Sequence, residues 1–421
     1  MFHTKRVSIW RNLVSMLAIV ALPGLTILAA AMPGNLDVSF GLHGQVVSHF
    51  DRTANVHNIA IQPDGKIVAA GDGSIVGLAG GGILVARYNT DGSLDTSFGT
   101  DGKVSTAVSS FGSDGWEVAL QPDGKIVVAG QVSYDTFSAF ALLRYNADGS
   151  LDTAFGPGGI VTTTVGDSTA IGLALAIQPD GKLLVGGYTG SVTFAVARFN
   201  TDGSPDMSFG SNGYVTGVGG LGVSLALQPD GKIVQAGSSV GGFTLARYNT
   251  DGSLDPLFGS GGTVITSIGG GGGARDVVIQ PDGKILATGG VCCTAVPALA
   301  RYNSDGSLDS SFGVGGTETM AAGQDIKDAV LQADGKIVTV GDVSGADTWI
   351  VTRYNPDGSL DGSFGIGGMV NTGFGLQKII TVWGIALQAD GRIVAAGESD
   401  TLAGPHHGTI SSVFALARYL P

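Results

Sequence analysis

Residues 121–156 read QPDGKIVVAGQVSYDTFSAFALLRYNADGSLDTAFG, and the fold follows from this stretch. Its opening Pro122-Asp123-Gly124 is a tight turn: proline presets φ, and glycine takes the left-handed position that closes a hairpin. The apolar residues before the turn, 116–120, and those after it, 125–129, therefore read as two antiparallel strands, a and b. A variable segment leads to strand c at 140–145. A second turn, Asn146-Ala147-Asp148-Gly149-Ser150, runs through Leu151-Asp152 and Phe155-Gly156 toward a fourth strand, d, represented in the preceding unit by Lys103–Thr106. Four antiparallel strands in a unit of this length make the blade of a propeller.

The same punctuation recurs along the chain. Gln-(Pro/Ala)-Asp-Gly-(Lys/Arg) begins at Gln62, Gln121, Gln178, Gln228, Gln280, Gln332 and Gln388, at intervals of 50 to 59 residues. Arg-(Tyr/Phe) falls at Arg87, Arg144, Arg198, Arg247, Arg301, Arg353 and Arg418. The motif (Leu/Pro)-Asp-x-x-Phe-Gly places its aspartate at Asp37, Asp95, Asp152, Asp206, Asp255, Asp309 and Asp361. Three motifs repeated seven times in one order specify seven units. The ends complete one another: Leu36–Gly41 and Gln45–Ser48 supply the tail of a unit, while Arg418-Tyr419 closes a strand c with no tail after it. In a ring, the N-terminal strand finishes the seventh blade and covers its edge, whereas an open β-solenoid gains nothing from this match. The expected fold is all-β: a seven-bladed β-propeller, four antiparallel strands per blade, the last closed by the N-terminal strand.

These units, with Gln-Pro-Asp-Gly-Lys-Ile-Val-x-Ala-Gly, Leu-Ala-Arg-Tyr-Asn and Asp-Gly-Ser-Leu-Asp-x-x-Phe-Gly, resemble the delta-60 repeat over essentially all of residues 33–421. That family comprises exported bacterial proteins with a β-propeller domain of unknown function. The resemblance implies the fold and an export route, and no established activity. It departs at Ala333 and Ala389, where proline is expected, and at Pro205, where leucine is expected; all three lie in turns.

Composition agrees with short strands and tight turns. Of 421 residues, 71 are glycine, 43% are hydrophobic and only 14% are charged, which excludes a disordered polyelectrolyte. No long stretch has the period of an amphipathic helix. Residues 1–31 stand apart: Lys5, Arg6 and Arg11 precede an apolar run from Leu13 to Ala31, broken by Pro23-Gly24 and ending on Ala29-Ala30-Ala31. They read as a secretory signal peptide, with an uncleaved membrane anchor as the alternative. Residues 32–421 then form one propeller, secreted or at the cell surface, with no membrane contact unless the N-terminal segment is retained. Cleavage leaves 19 basic against 35 acidic residues, a net charge of −16 that argues against nucleic acid as a partner.

The seven arginines and seven Leu-Asp aspartates, one of each per blade, read as structural staples, each a bidentate Arg–carboxylate pair, with Arg418 reaching Asp37 across the chain ends. Asn89, Asp91, Ser93 and Asp95 alternate oxygens as calcium loops do. They lack the closing glutamate, and the same residues favour turns, so no cofactor is expected and calcium stays a minor alternative. Cys292-Cys293 fits a vicinal disulfide, free thiols or an intermolecular bridge; His406-His407 reads as an exposed loop.

Variation between blades points to one place. The a–b and c–d turns repeat almost unchanged, whereas the b–c loops (133–138, 292–297, 346–349, 399–412) and the start of strand a vary. Four and five residues before the glutamines stand His57 and Asn58, Trp116 and Glu117, Arg275 and Asp276, Lys327 and Asp328, and Trp383. These are the candidate ligand-binding residues, at one mouth of the axis; ordinary solvated strand ends are the plainer reading. No nucleophile elbow, metalloprotease helix, phosphate loop or dinucleotide fingerprint occurs. The expected function is a monomeric, non-catalytic binding or scaffold module for an extracellular protein or glycan. A propeller lyase or hydrolase acting on carbohydrate is the alternative.

Overall fold

The computed structural model describes residues 32–78, 80–166, 169–291, 296–320, 324–343, 346–375, 378–401 and 411–421. The signal-peptide reading of 1–31, the Cys292-Cys293 pair and the His406-His407 pair lie outside the described residues. Among the described residues there are 28 strands and no helix, arranged as seven four-stranded antiparallel sheets. In six blades the strands pair in chain order; the first comprises Ala54–Ile61, Ile67–Ser74, Gly81–Tyr88 and Lys103–Thr106. The seventh comprises Lys378–Leu387, Ile393–Thr401, Ser411–Tyr419 and, as its outer strand, Gln45–Ser48 from the N-terminal side. That strand runs antiparallel to Ser411–Tyr419, Val46 opposite Leu416, so the ring closes as the motif count requires.

Strands b and c are almost wholly apolar because each sheet is covered on both faces by neighbouring blades. Val127, Ala129, Phe140 and Leu142 of the second blade pack with Leu183, Val185, Ala195 and Ala197 of the third in one core cluster. Strand a lines the axis, and its neighbours around the ring are the a strands of the adjoining blades. Strands a and b are longer than their apolar cores suggest: Ser113–Leu120 and Ile126–Ser133 in the second blade. The last b–c loop is correspondingly shorter, since its flanking strands reach Thr401 and resume at Ser411.

The signature residues meet at the end of each blade that carries the turns. Arg144 Nε donates to Asp152 Oδ2 at 2.8 Å, and Arg418 Nε to Asp37 Oδ2 at 2.9 Å. The other five pairs lie at 2.7–2.8 Å. They are not the fork-to-fork pairs expected from sequence. The second carboxylate oxygen accepts from the chain two residues on; the Ala154 N–H donates to Asp152 Oδ1 at 3.2 Å. In six blades the arginine's Nη1 is thereby free to donate to a carbonyl of the next blade, Thr201 O at 2.6 Å in the case of Arg144. The basic residue of each Pro/Ala-Asp-Gly turn joins the same carboxylate, Lys182 on Asp206 at 2.8 Å and Arg392 on Asp37 at 2.7 Å. Each guanidinium lies over the phenylalanine of its own Phe-Gly, 4.4–4.7 Å from the ring centroid. Four signature side chains thus make one cluster, buried except for its partly exposed turn cation, that ties a blade to itself and to its neighbour. In the Asn-x-Asp-Gly-Ser turns the Asp91 carboxylate accepts from Ser93 N and Oγ at 2.9 and 2.7 Å, while Asn89 turns its amide nitrogen toward Ser93 Oγ. Local bonds, which also lower the Asp91 pKa, account for the alternating oxygens.

Candidate functional site

A strand that simply alternated would send every second residue to the axis. Here strand a carries a β-bulge in each blade, one residue against none on strand b, at a fixed distance before the glutamine. Pairing skips His57, Trp116, Leu173, Val223, Arg275 and Trp383 in six blades. In the sixth blade Asp325 N–H donates to Asp342 O while Asp328 lies opposite Val340, which leaves Lys327 as the extra residue. A bulge re-aims its side chain, and here it turns seven of them inward at one height. The glycine of Ile-Val-x-Ala-Gly makes room for it. At Gly71, Gly130, Gly187, Gly237, Gly289, Gly341 and Gly397 an added Cβ would collide with the carbonyl oxygen two residues before the bulge, Asp114 O in the case of Gly130.

The bulged residues and those that follow them surround an axial cavity of about 140 Å³ lined by His57, Asn58, Trp116, Glu117, Leu173, Val223, Ser224, Arg275, Asp276, Lys327, Asp328 and Trp383. All nine residues singled out from sequence are here. His57, Asn58, Trp116, Glu117 and Trp383 lie inside their strands, whereas Asp328 begins its strand, Lys327 precedes it and Arg275 is exposed. Going round the ring, the bulge positions give an aromatic side from blades seven, one and two, an aliphatic side from three and four, and a basic side from five and six. The layer after them carries Glu117, Asp276 and Asp328.

His57 stacks on Trp116 with centroids 4.1 Å apart, and Trp383 stands edge-on to both at 5.5 and 6.2 Å. His57 Nε2 bonds to Asp72; its Nδ1 and the Trp116 indole N–H are buried without a partner. Lys327 Nζ lies 2.9 Å from Asp325, 3.3 Å from Asp342 and 5.0 Å from the Trp383 ring centroid. Asp276 accepts from Ser224 Oγ at 2.8 Å, and Asp328 from the amide of Ile385 at 2.9 Å. Burial pushes the Glu117 and Asp328 carboxyls well above their ordinary range; Asp276 bears on both, and Asp328 on Glu117. Burial also raises Asp276, Asp114 and Asp342, and carries Glu398, next to Asp400, up to about 7. Among the described residues no three acidic, histidine or cysteine side chains are grouped to hold a metal ion.

Sequence reading missed the supporting residues: Asp72, Asp342 and Glu398 just after the strand-b glycine, and Asp114 and Asp325 before the bulge. The signal was available, since the position after that glycine is polar or charged in five of seven blades, the others being Tyr188 and Gly290.

Six segments, 62–98, 121–155, 178–209, 228–258, 280–312 and 332–364, match the family described as Domain of unknown function (DUF5122) beta-propeller. These repeat matches support an uncharacterised β-propeller family. The seventh unit, in which Gln388 and Arg418 lie far along the chain from Asp37, is not among the matched segments. No curated protein matches the chain. Solved structures similar to it include a protein of unknown function from Bacteroides caccae (12% identity, 72% of this chain and 97% of that one, TM-score 0.40). Others are the polysaccharide lyase Uly1 (12%, 87% and 90%, 0.41) and the PQQ-bound aldose sugar dehydrogenase of Streptomyces coelicolor (14%, 89% and 98%, 0.37). None of their chemistries carries over at these scores.

Proposed function

We propose that the chain is a non-catalytic binding or scaffold propeller of the delta-60 repeat kind. In this reading it is exported by its N-terminal segment and holds its ligand on the axis. One observation supports this: seven bulges aim seven side chains of six kinds into one cavity, while the residues of the opposite face repeat nearly unchanged. A scaffold alone needs the bulge no more than it needs the variety. The test is a screen of glycans and surface proteins beside a lyase and hydrolase panel, repeated with Trp116→Ala and with Asp276→Asn. Binding lost in both variants, with melting almost unchanged, is the expected outcome. Turnover lost in the same variants would make the protein an enzyme, and binding that mapped to the turn-bearing face would refute the axial site.

A further inference from the structure

The ring already holds one ammonium group. Lys327 Nζ rests against the Trp383 indole and between the carboxylates of Asp325 and Asp342, the two kinds of partner a cation finds favourable. The other side of the aromatic cluster offers the same two kinds of group, an indole and carboxyls, in one cavity. Trp116 supplies the indole, Glu117 follows it into the cavity, and Asp276 and Asp328 complete the acidic layer. His57 closes the wall with only 7% of its side chain exposed, and its Nδ1 is unpartnered. Nε2 is taken by Asp72, so Nδ1 is the ring nitrogen left for a polar group of a ligand. Eight acidic groups (Asp72, Asp114, Glu117, Asp276, Asp325, Asp328, Asp342, Glu398) stand around the axis against the permanent cations Arg275 and Lys327.

We infer that the axis takes its ligand by a primary ammonium arm, seated against Trp116 and Glu117 as Lys327 is seated against Trp383. The inference rests on the axial site proposed above. A cavity of about 140 Å³ holds a short aminoalkyl arm, being roughly four to five water volumes of ~30 Å³, but not a bulky body. A basin of about 920 Å³ shares Leu173, Val223 and Arg275 with it and is floored by the side-chain-free residues 270–273, which gives the rest of the ligand room. The aromatic and aliphatic walls suit an organic cation better than a bare metal ion. The raised carboxyls of Glu117, Asp276 and Asp328 agree, since no cation is among the groups that bear on them.

The experiment is titration calorimetry on the full chain at pH 8 with n-propylammonium chloride, and n-propanol as the uncharged counterpart. Cadaverine, and glucosamine against N-acetylglucosamine, distinguish a polyamine from an amino-sugar body. Propylammonium should bind at least about tenfold more tightly than propanol. Glu117→Gln should weaken it by a similar factor, and so should lowering the pH to 5, where protons take the cation's place. Should Glu117→Gln disturb the circular dichroism spectrum, Trp116→Leu must weaken propylammonium instead. Equal binding of propanol, or unchanged affinity in the well-folded variant, overturns the inference. A screened ligand that needs Trp116 but has no ammonium, with propylammonium inert, refutes the ammonium arm and leaves the axial site. A ligand indifferent to Trp116 refutes both.

Discussion

A single missing methyl group decides much of this architecture. The glycine that ends each Ile-Val-x-Ala-Gly does not need unusual dihedrals; it needs the absence of a Cβ where the bulged strand presses a carbonyl against it. Gly130→Ala should therefore lower stability by about 1–3 kcal/mol, as overpacking does, read as a reduced urea midpoint at unchanged slope. The signature arginine is the second such residue. Arg144 and Asp152 have side chains 7% and 9% exposed, and breaking a buried pair from one side costs about 3–5 kcal/mol. Lys125, 3.2 Å from Asp152, offsets part of this in Arg144→Met. In a double-mutant cycle, adding Asp152→Leu should recover some of the loss; strict additivity would mean that the pair is not coupled.

Among the elements, the four-residue strand Gln45–Ser48 has the largest consequence. It covers the edge of Ser411–Tyr419, its preceding loop brings Asp37 to Arg418, and Pro33 O accepts from Gly365 N–H of the sixth blade. Deleting residues 32–50 removes all three links and exposes a nine-residue apolar strand, a template for pairing between molecules. The truncated protein should melt far lower or aggregate, as light scattering after size exclusion would reveal. A monomer of unchanged melting temperature would refute closure by this strand. The remaining outer strands are three to six residues long, too short to invite the same pairing.

For the whole molecule, acidic groups fall into two sets with opposite demands. The staple aspartates, held by arginine, lysine and local N–H and O–H donors, have pKa values below the ordinary 3.8; Asp361 is lowered to about 2. Their contribution is present above about pH 4 and is lost as pH falls through the lowered values. The axial carboxyls are raised, so their contribution is present below the ordinary 4.5 of a glutamate and is lost as pH rises through the folded value, about 7 for Glu398. Thermal melts from pH 2 to 9 should peak in the mildly acidic range. Glu398→Gln should flatten the decline toward neutral pH and leave the acid limb alone. A flat profile from pH 5 to 8 in the parent protein would contradict the desolvated axis.

The number of blades, their four-strand content, ring closure and the partner of every signature arginine were all legible in the order and spacing of three motifs. These are local or periodic properties: a turn depends on adjacent residues, and a staple repeats eight residues apart in six blades. The candidate site was legible only as a set of variable positions. That His57, Trp116, Glu117 and Lys327 share one cavity follows from seven bulges, each breaking the two-residue alternation on which strand reading depends. The geometry of the staples and the raised axial carboxyls likewise came only from the assembled ring. Groups some 50 residues apart become neighbours there, and burial sets their charge.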